Sequence, residues 1–212
     1  MVRVSAVKLE KGASAPFILM EVFKLIQSFV SSDENLIQSV DEFDKAIDHI
    51  VRLIQDSSLL YLNESYPSSA FLSITACEEV AKANVGLFTD GTHPKDKGRN
   101  AFRDHKTKHQ MAALPTIPMG KRLEDALGMR ELQRIMSMAH NAGLVQVREN
   151  ALYFQRENDN LVVPSEKVDK KLARSLVLFA IEAFDDALVG LTNHSLDADD
   201  ITDELFEQLK NT

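Results

Sequence analysis

The chain has 212 residues and a formal net charge of −8, from 24 Lys and Arg against 32 Asp and Glu. That balance excludes a protein that coats nucleic acid or anionic membrane without selectivity, but leaves room for a local basic pocket that handles RNA. Hydrophobic content of 44% fits a globular protein with a core large enough to need no staple, and the single cysteine, Cys77, permits no internal disulfide and fits a reducing compartment.

Helical periodicity predicts a first helix from Phe17 to Val30, in an N-terminal extension spanning 1–34. The apolar run from Ala13 to Met20 is too short to span a bilayer, and Glu21 and Lys24 follow it at once. It also lacks a signal-peptide cleavage pattern, so the expected location is the cytoplasm, away from membrane. From Asn35 to Leu62 a three–four rhythm of Leu36, Val40, Phe43, Ile47, Ile50, Ile54 and Tyr61 predicts a bundle helix. Its stripe is wide enough to suggest pairing with a second copy of the chain.

Residues 68–88 are apolar almost all the way round, the pattern of a helix inside a bundle. Ser65 and Pro67 mark its start. Glu78, Glu79 and Lys82 sit at its centre. Buried charges are paired or working, and Glu78 and Lys82 stand four apart, on one face. They make either a structural ion pair or half of a polar site.

Residues 90–99 read as a loop, and a short polar helix is predicted over 100–114, ended by Pro115, Pro118 and Gly120. It carries Arg103, His105, Lys108 and His109. His105 and His109, four apart, share a helix face and could serve as proton carriers, zinc ligands or a solvated surface pair. A helix over 122–144 follows, with Leu123, Leu127, Leu132, Ile135, Met136 and Ala139 inward. The segments 151–154 and 161–163 flank a turn-rich Glu157–Asn160 and predict a small β-hairpin or extended loop. Ser165 is expected to cap a last long helix reaching Leu191, and an acidic amphipathic tail helix occupies 194–212. The fold class is all-α, with one helical domain over 35–193 and extensions at both ends.

Three stretches occur in a set order: Ser-Ile-Thr-Ala-Cys-Glu-Glu-Val-Ala-Lys-Ala at 73–83, Phe-Arg-Asp-His-Lys-Thr-Lys at 102–108, and Val-Arg-Glu-Asn-Ala-Leu-Tyr at 147–153. Together they resemble the landmarks of AbiV-type abortive infection proteins, a family of the HEPN superfamily of helical bundles. The resemblance covers about 35–191. It implies phage defence by damage to the host's own RNA or translation, a metal-free ribonuclease site without cofactor, a homodimer, and a phage-encoded activator or an antitoxin as partner. Ribonucleases of that superfamily separate an Arg from the following His by four to six intervening residues. Here Arg148 is followed five residues later by Tyr153, while Arg103 and His109 match the bare spacing.

Cleavage through the ribose 2′-OH needs a base, a cation for the phosphorane and an acid. On this reading His105 is the base and Arg148 the phosphate fork. Lys82 and Lys108 add positive charge, Glu78 or Glu79 orients a partner, and Tyr153 donates a hydrogen bond or stacks on a base. A catalytically inactive module that docks on RNA, a nucleotide or a protein is the competing function. The blandest reading is a structural subunit in which Glu78 and Lys82 only set register.

Overall fold

A computed structural model describes residues 35–90, 92–93, 96–119 and 121–212. The first predicted helix, Phe17 to Val30, lies outside them. The amphipathic stripe beyond it forms α1, Val40–Leu62, where Ser39 caps the first turn by accepting from the Glu42 amide. Its Phe43, Ile47, Ile50, Ile54 and Tyr61 are buried.

The apolar helix, α2 (Tyr66–Gly86), takes the centre as its sequence predicts. Ser65 holds the N-cap position without a side-chain cap bond, and Pro67 lies in the first turn. Ser57 Oγ lies 2.6 Å from Ser73 Oγ and donates to the Ser69 carbonyl oxygen at 3.0 Å. These small hydroxyl residues let α1 and α2 approach closely while satisfying their own polar atoms.

The 90–99 segment departs from a plain loop. Strands β1 (Thr92–His93) and β2 (Asp96–Asn100) pair antiparallel. β2 has no apolar alternation, so the sequence carries no strand signal there. After a 3-10 turn at Ala101–Arg103, α3 runs His105–Met119. It starts later than predicted and continues past Pro115 and Pro118, which forfeit two backbone N–H donors without ending the helix.

The predicted helix over 122–144 is three pieces: α4 (Lys121–Leu127), α5 (Met129–His140) and α6 (Gly143–Leu152). Gly128 at φ +78° and Ala142 at φ +61° make the two breaks. Ala142, at ψ +13°, is left-handed at a cost to alanine, while Gly128, at ψ +150°, holds an extended positive-φ conformation that is essentially glycine's alone. Gly128→Ala is therefore expected to destabilise the fold by about 1–3 kcal/mol, although its Cβ would meet no neighbour, and Gly128→Asn by as much, since asparagine is tolerated in the left-handed helical region but not here. Thermal melts of the two variants beside wild type test this; melting temperatures equal to that of wild type would refute it.

The predicted hairpin forms with its first arm later than the 151–154 expected, since Ala151 and Leu152 end α6: β3 (Gln155–Glu157) pairs with β4 (Asn160–Val162), in register Gln155↔Val162, Arg156↔Leu161 and Glu157↔Asn160. Asn158 and Asp159, at φ +45° and +67°, supply the two-residue turn that matches strand twist. A one-turn helix α7, Pro164–Lys167, comes next. Asp169, not Ser165, caps the long helix α8, Lys170–Leu188, by accepting from the Leu172 amide at 2.8 Å.

α9, Asn193–Leu209, is no loose tail. It packs on α1 and α8 and buries Ala198, Phe206 and Leu209. Thr192 Oγ1 donates to Asp44 at 2.8 Å, and Arg174 on α8 donates to the carbonyl oxygens of Leu209 and Lys210 at the helix end. Between α4, α8 and α9, Arg122 bonds Glu182, Asp185 and Asp203 and lies over the Phe206 ring. The wide stripe of α1 is thus covered from within the chain by α2, α8 and α9, leaving Leu59 and Leu62 exposed at its end.

Candidate active site

α2 also packs against α3, α6 and α8. Glu78 faces the first two and is only 3% exposed. A buried carboxylate needs partners, and the face of α3 supplies three. His105 Nδ1 lies 2.8 Å from both carboxylate oxygens. Lys108 Nζ donates to Oε2 at 2.7 Å, and His109 Nε2 lies 2.9 Å from Oε1. Positions 105, 108 and 109 share one helix face by the three–four rule, which is why one carboxylate engages all three. α6 brings Arg148, whose Nε stands 3.9 Å from Oε1, outside hydrogen-bond reach. Its guanidinium lies 5.0 Å over the Phe71 ring.

Burial pushes the Glu78 pKa up. The hydrogen bonds from His109 and Lys108, the charge of Lys108 and the His105 bond outweigh it and hold the carboxyl at about 2, so it is an anion across the physiological range. Burial beside this anion raises the neighbouring Cys77 thiol far above its usual range. Cys77 therefore stays a neutral core residue.

Exposure is uneven across the cluster. Lys108 and His109 are buried, whereas the His105 side chain is 41% exposed. With Nδ1 turned to Glu78, His105 presents Nε2 to the outside. Two buried nitrogens, His109 Nδ1 and Arg148 Nε, have no hydrogen-bond partner. Lys108 and Arg148 bring two cations to the hub against Glu78 and, 3.9 Å from Arg148, the half-exposed Glu149.

The structure brings Glu78, His105, Lys108 and Arg148 together and separates several other candidates. Lys82 pairs with Glu79, at 2.7 Å, rather than with Glu78. The i,i+4 spacing is permissive, but Glu78 is already filled from α3, and Glu79 is the carboxylate left open to Lys82. Arg103 is exposed on the 3-10 turn while His109 is fully buried, so their bare spacing does not translate into a shared surface. Tyr153 is the extended C-cap residue of α6 and is 61% exposed. The sequence signalled His109 through its spacing from His105 and from Arg103, and gave no signal for Phe71 beneath Arg148.

Each histidine of the pair directs one ring nitrogen at Glu78. Elsewhere, Asp185, Asp199 and Asp203 bring ligand oxygens within 4.8 Å of one another. Arg122 already lies against two of them. No helix among the described residues is long and apolar enough to cross a membrane.

The chain is an all-α bundle in which the central helix carries Glu78 and the helix packed on it carries the two histidines that bond that carboxylate. The family model for AbiV of the HEPN group matches residues 38–183, and the chain belongs to that family. No curated protein and no solved structure matches it.

Proposed function

We propose that this chain is a cytoplasmic abortive-infection effector that cuts RNA without a metal. The observation that supports it best is the His105–Glu78 pair: a buried anion holds Nδ1 and leaves Nε2 facing out beside Arg148. Nε2 takes the proton of a ribose 2′-OH. The 2′-oxygen attacks phosphorus, the bond to the 5′-oxygen breaks, and the products are a 2′,3′-cyclic phosphate and a 5′-hydroxyl. Arg148, with Lys108 behind it, steadies the charge that builds on the phosphorane. Glu78 positions His105 and stabilises the imidazolium as it forms. The leaving oxygen needs a proton from the far side of phosphorus, and His105 of a second copy meets that need, so the active form is a homodimer. A phage-encoded activator or an antitoxin sets when it acts.

His105→Ala is expected to lower RNA cleavage by about a hundredfold or more and to relieve growth arrest on expression, with the melting temperature little changed because the side chain is half-exposed. Cleavage by wild type in a chelator, leaving 2′,3′-cyclic ends, checks the metal-free route. Full defence by a folded His105→Ala protein would remove the catalytic reading. The docking module would then replace it, a reading favoured by the exposed Tyr153 in the place of the usual His.

A further inference from the structure

The outward face of the β3–β4 hairpin is inverted relative to an ordinary surface hairpin. Register puts Arg156 opposite Leu161, and the two-residue side-chain period carries Phe154 and Val163 onto the same face. Phe154 is 69% exposed, Leu161 56% and Val163 38%. The polar residues point the other way: Gln155 bonds Asn150, and Glu157 pairs with Lys167 on α7. Tyr153 and Leu152, also exposed, continue the apolar surface back onto α6. Leu152 is four residues beyond Arg148 and so lies on the same helix face, one turn along. The shelf begins about 6 Å of helix rise beyond that arginine.

We infer that this face is a stacking shelf for single-stranded RNA, holding bases that lie beyond the two joined by the bond cut at His105. The inference rests on the RNA-cleaving reading above. Two observations choose RNA over protein as the occupant. The first is size: two three-residue strands make a face about 10 Å long and two strands wide, far short of the roughly 800 Å² per partner of a stable protein interface. Two or three bases match it. The second is charge. In a chain of net −8, Arg156 stands on the shelf itself, its guanidinium steadied by the Asp159 carbonyl at 2.7 Å, and Arg148 lies at its inner edge. A polyanion enters along that line. Aromatic side chains stack on any base, so the shelf sets where along a strand the cut falls and reads little sequence.

The test compares a fluorescein-labelled single-stranded 12-mer RNA with a dinucleotide substrate. Phe154→Ala and Phe154→Leu are expected to weaken 12-mer binding by anisotropy about tenfold or more, and to lower kcat/KM for the 12-mer alone. Phe154→Tyr is expected to restore both, and none of the three to alter dinucleotide cleavage. Leu keeps apolar area but loses the stacking plane, so wild-type 12-mer binding by Phe154→Leu would overturn the shelf. A fall in mass by light scattering in Phe154→Ala, with RNA affinity unchanged, would overturn it too, in favour of a second copy on this face. Wild type that binds the 12-mer through Phe154 yet cleaves neither substrate would sink the ribonuclease reading and leave the shelf standing. Wild type that cleaves both substrates with no loss in Phe154→Ala would do the reverse.

Discussion

Glu78→Ala is expected to destabilise the protein by about 3–5 kcal/mol, among the largest losses of any single substitution here. The carboxylate is the common partner of Lys108, His105 and His109 and lies 3.9 Å from Arg148. Its removal leaves Lys108 and His109, both buried, with polar atoms facing no acceptor. Glu78→Gln keeps one acceptor oxygen but supplies no charge, so its loss is expected to be intermediate. Urea unfolding at pH 7 measures both, and a loss below about 1 kcal/mol for the alanine variant would show that the hub relaxes without cost. The acid limb follows from the same group. Its pKa is depressed from 4.5 to about 2, so its contribution is fully present above 4.5 and disappears as pH falls through 2. That is roughly 3 kcal/mol of stability. In Glu78→Gln this part of the acid limb is expected to vanish.

The central helix was legible because nothing in residues 66–86 offers a polar face, and the charges at its middle had to find partners. That His105 reaches Glu78 could be expected; that Lys108 and His109 join it could not, because the two-turn register between α2 and α3 depends on where α3 begins. α3 begins at His105 rather than five residues earlier, since β2 and the 3-10 turn use the intervening chain. The three-way split of 121–152 was hidden for a different reason. Gly128 is a plain marker of a positive-φ residue, but Ala142 is an excellent helix former held at φ +61° by its surroundings. The tail helix was read as an appendage because its sequence is acidic. The compensating charge, Arg122, lies 81 residues from Asp203, and no local pattern connects them. Sequence periodicity shows which face of a helix is buried, not which distant cation neutralises it.

That distant neutralisation is incomplete, and this gives the second large effect. Five carboxylates, Glu182, Asp185, Asp186, Asp199 and Asp203, gather around the single guanidinium of Arg122. Asp185 and Asp199 share a hydrogen bond, which two carboxylates make only when one carries a proton. Burial, that bond and the charges of Asp185 and Asp203 raise Asp199 to about 7 against the pull of Arg122; burial and Glu182 raise Asp186 to about 6. The sign is opposite to that of Glu78. A raised carboxylate pKa gives stability that is complete below the unfolded value of 3.8 and is lost as pH rises through 6 and 7. The melting temperature is therefore expected to peak in mildly acid solution, where Glu78 is still ionised and the Asp185–Asp199 proton is still held. Asp199→Asn, which fixes the uncharged form, is expected to raise stability at pH 8 by about 1 kcal/mol, or about 2–4 °C, with a gain that shrinks as pH falls towards the unfolded value of 3.8. Arg122→Ala is expected to cost about 3–5 kcal/mol at pH 7, because Glu182, 1% exposed, then has no cation. Its deficit should shrink as pH falls and the freed carboxylates take up protons. A loss for Arg122→Ala that stays constant between pH 5 and pH 8 would mean that Phe206 packing, and not charge, is what the arginine supplies to α9.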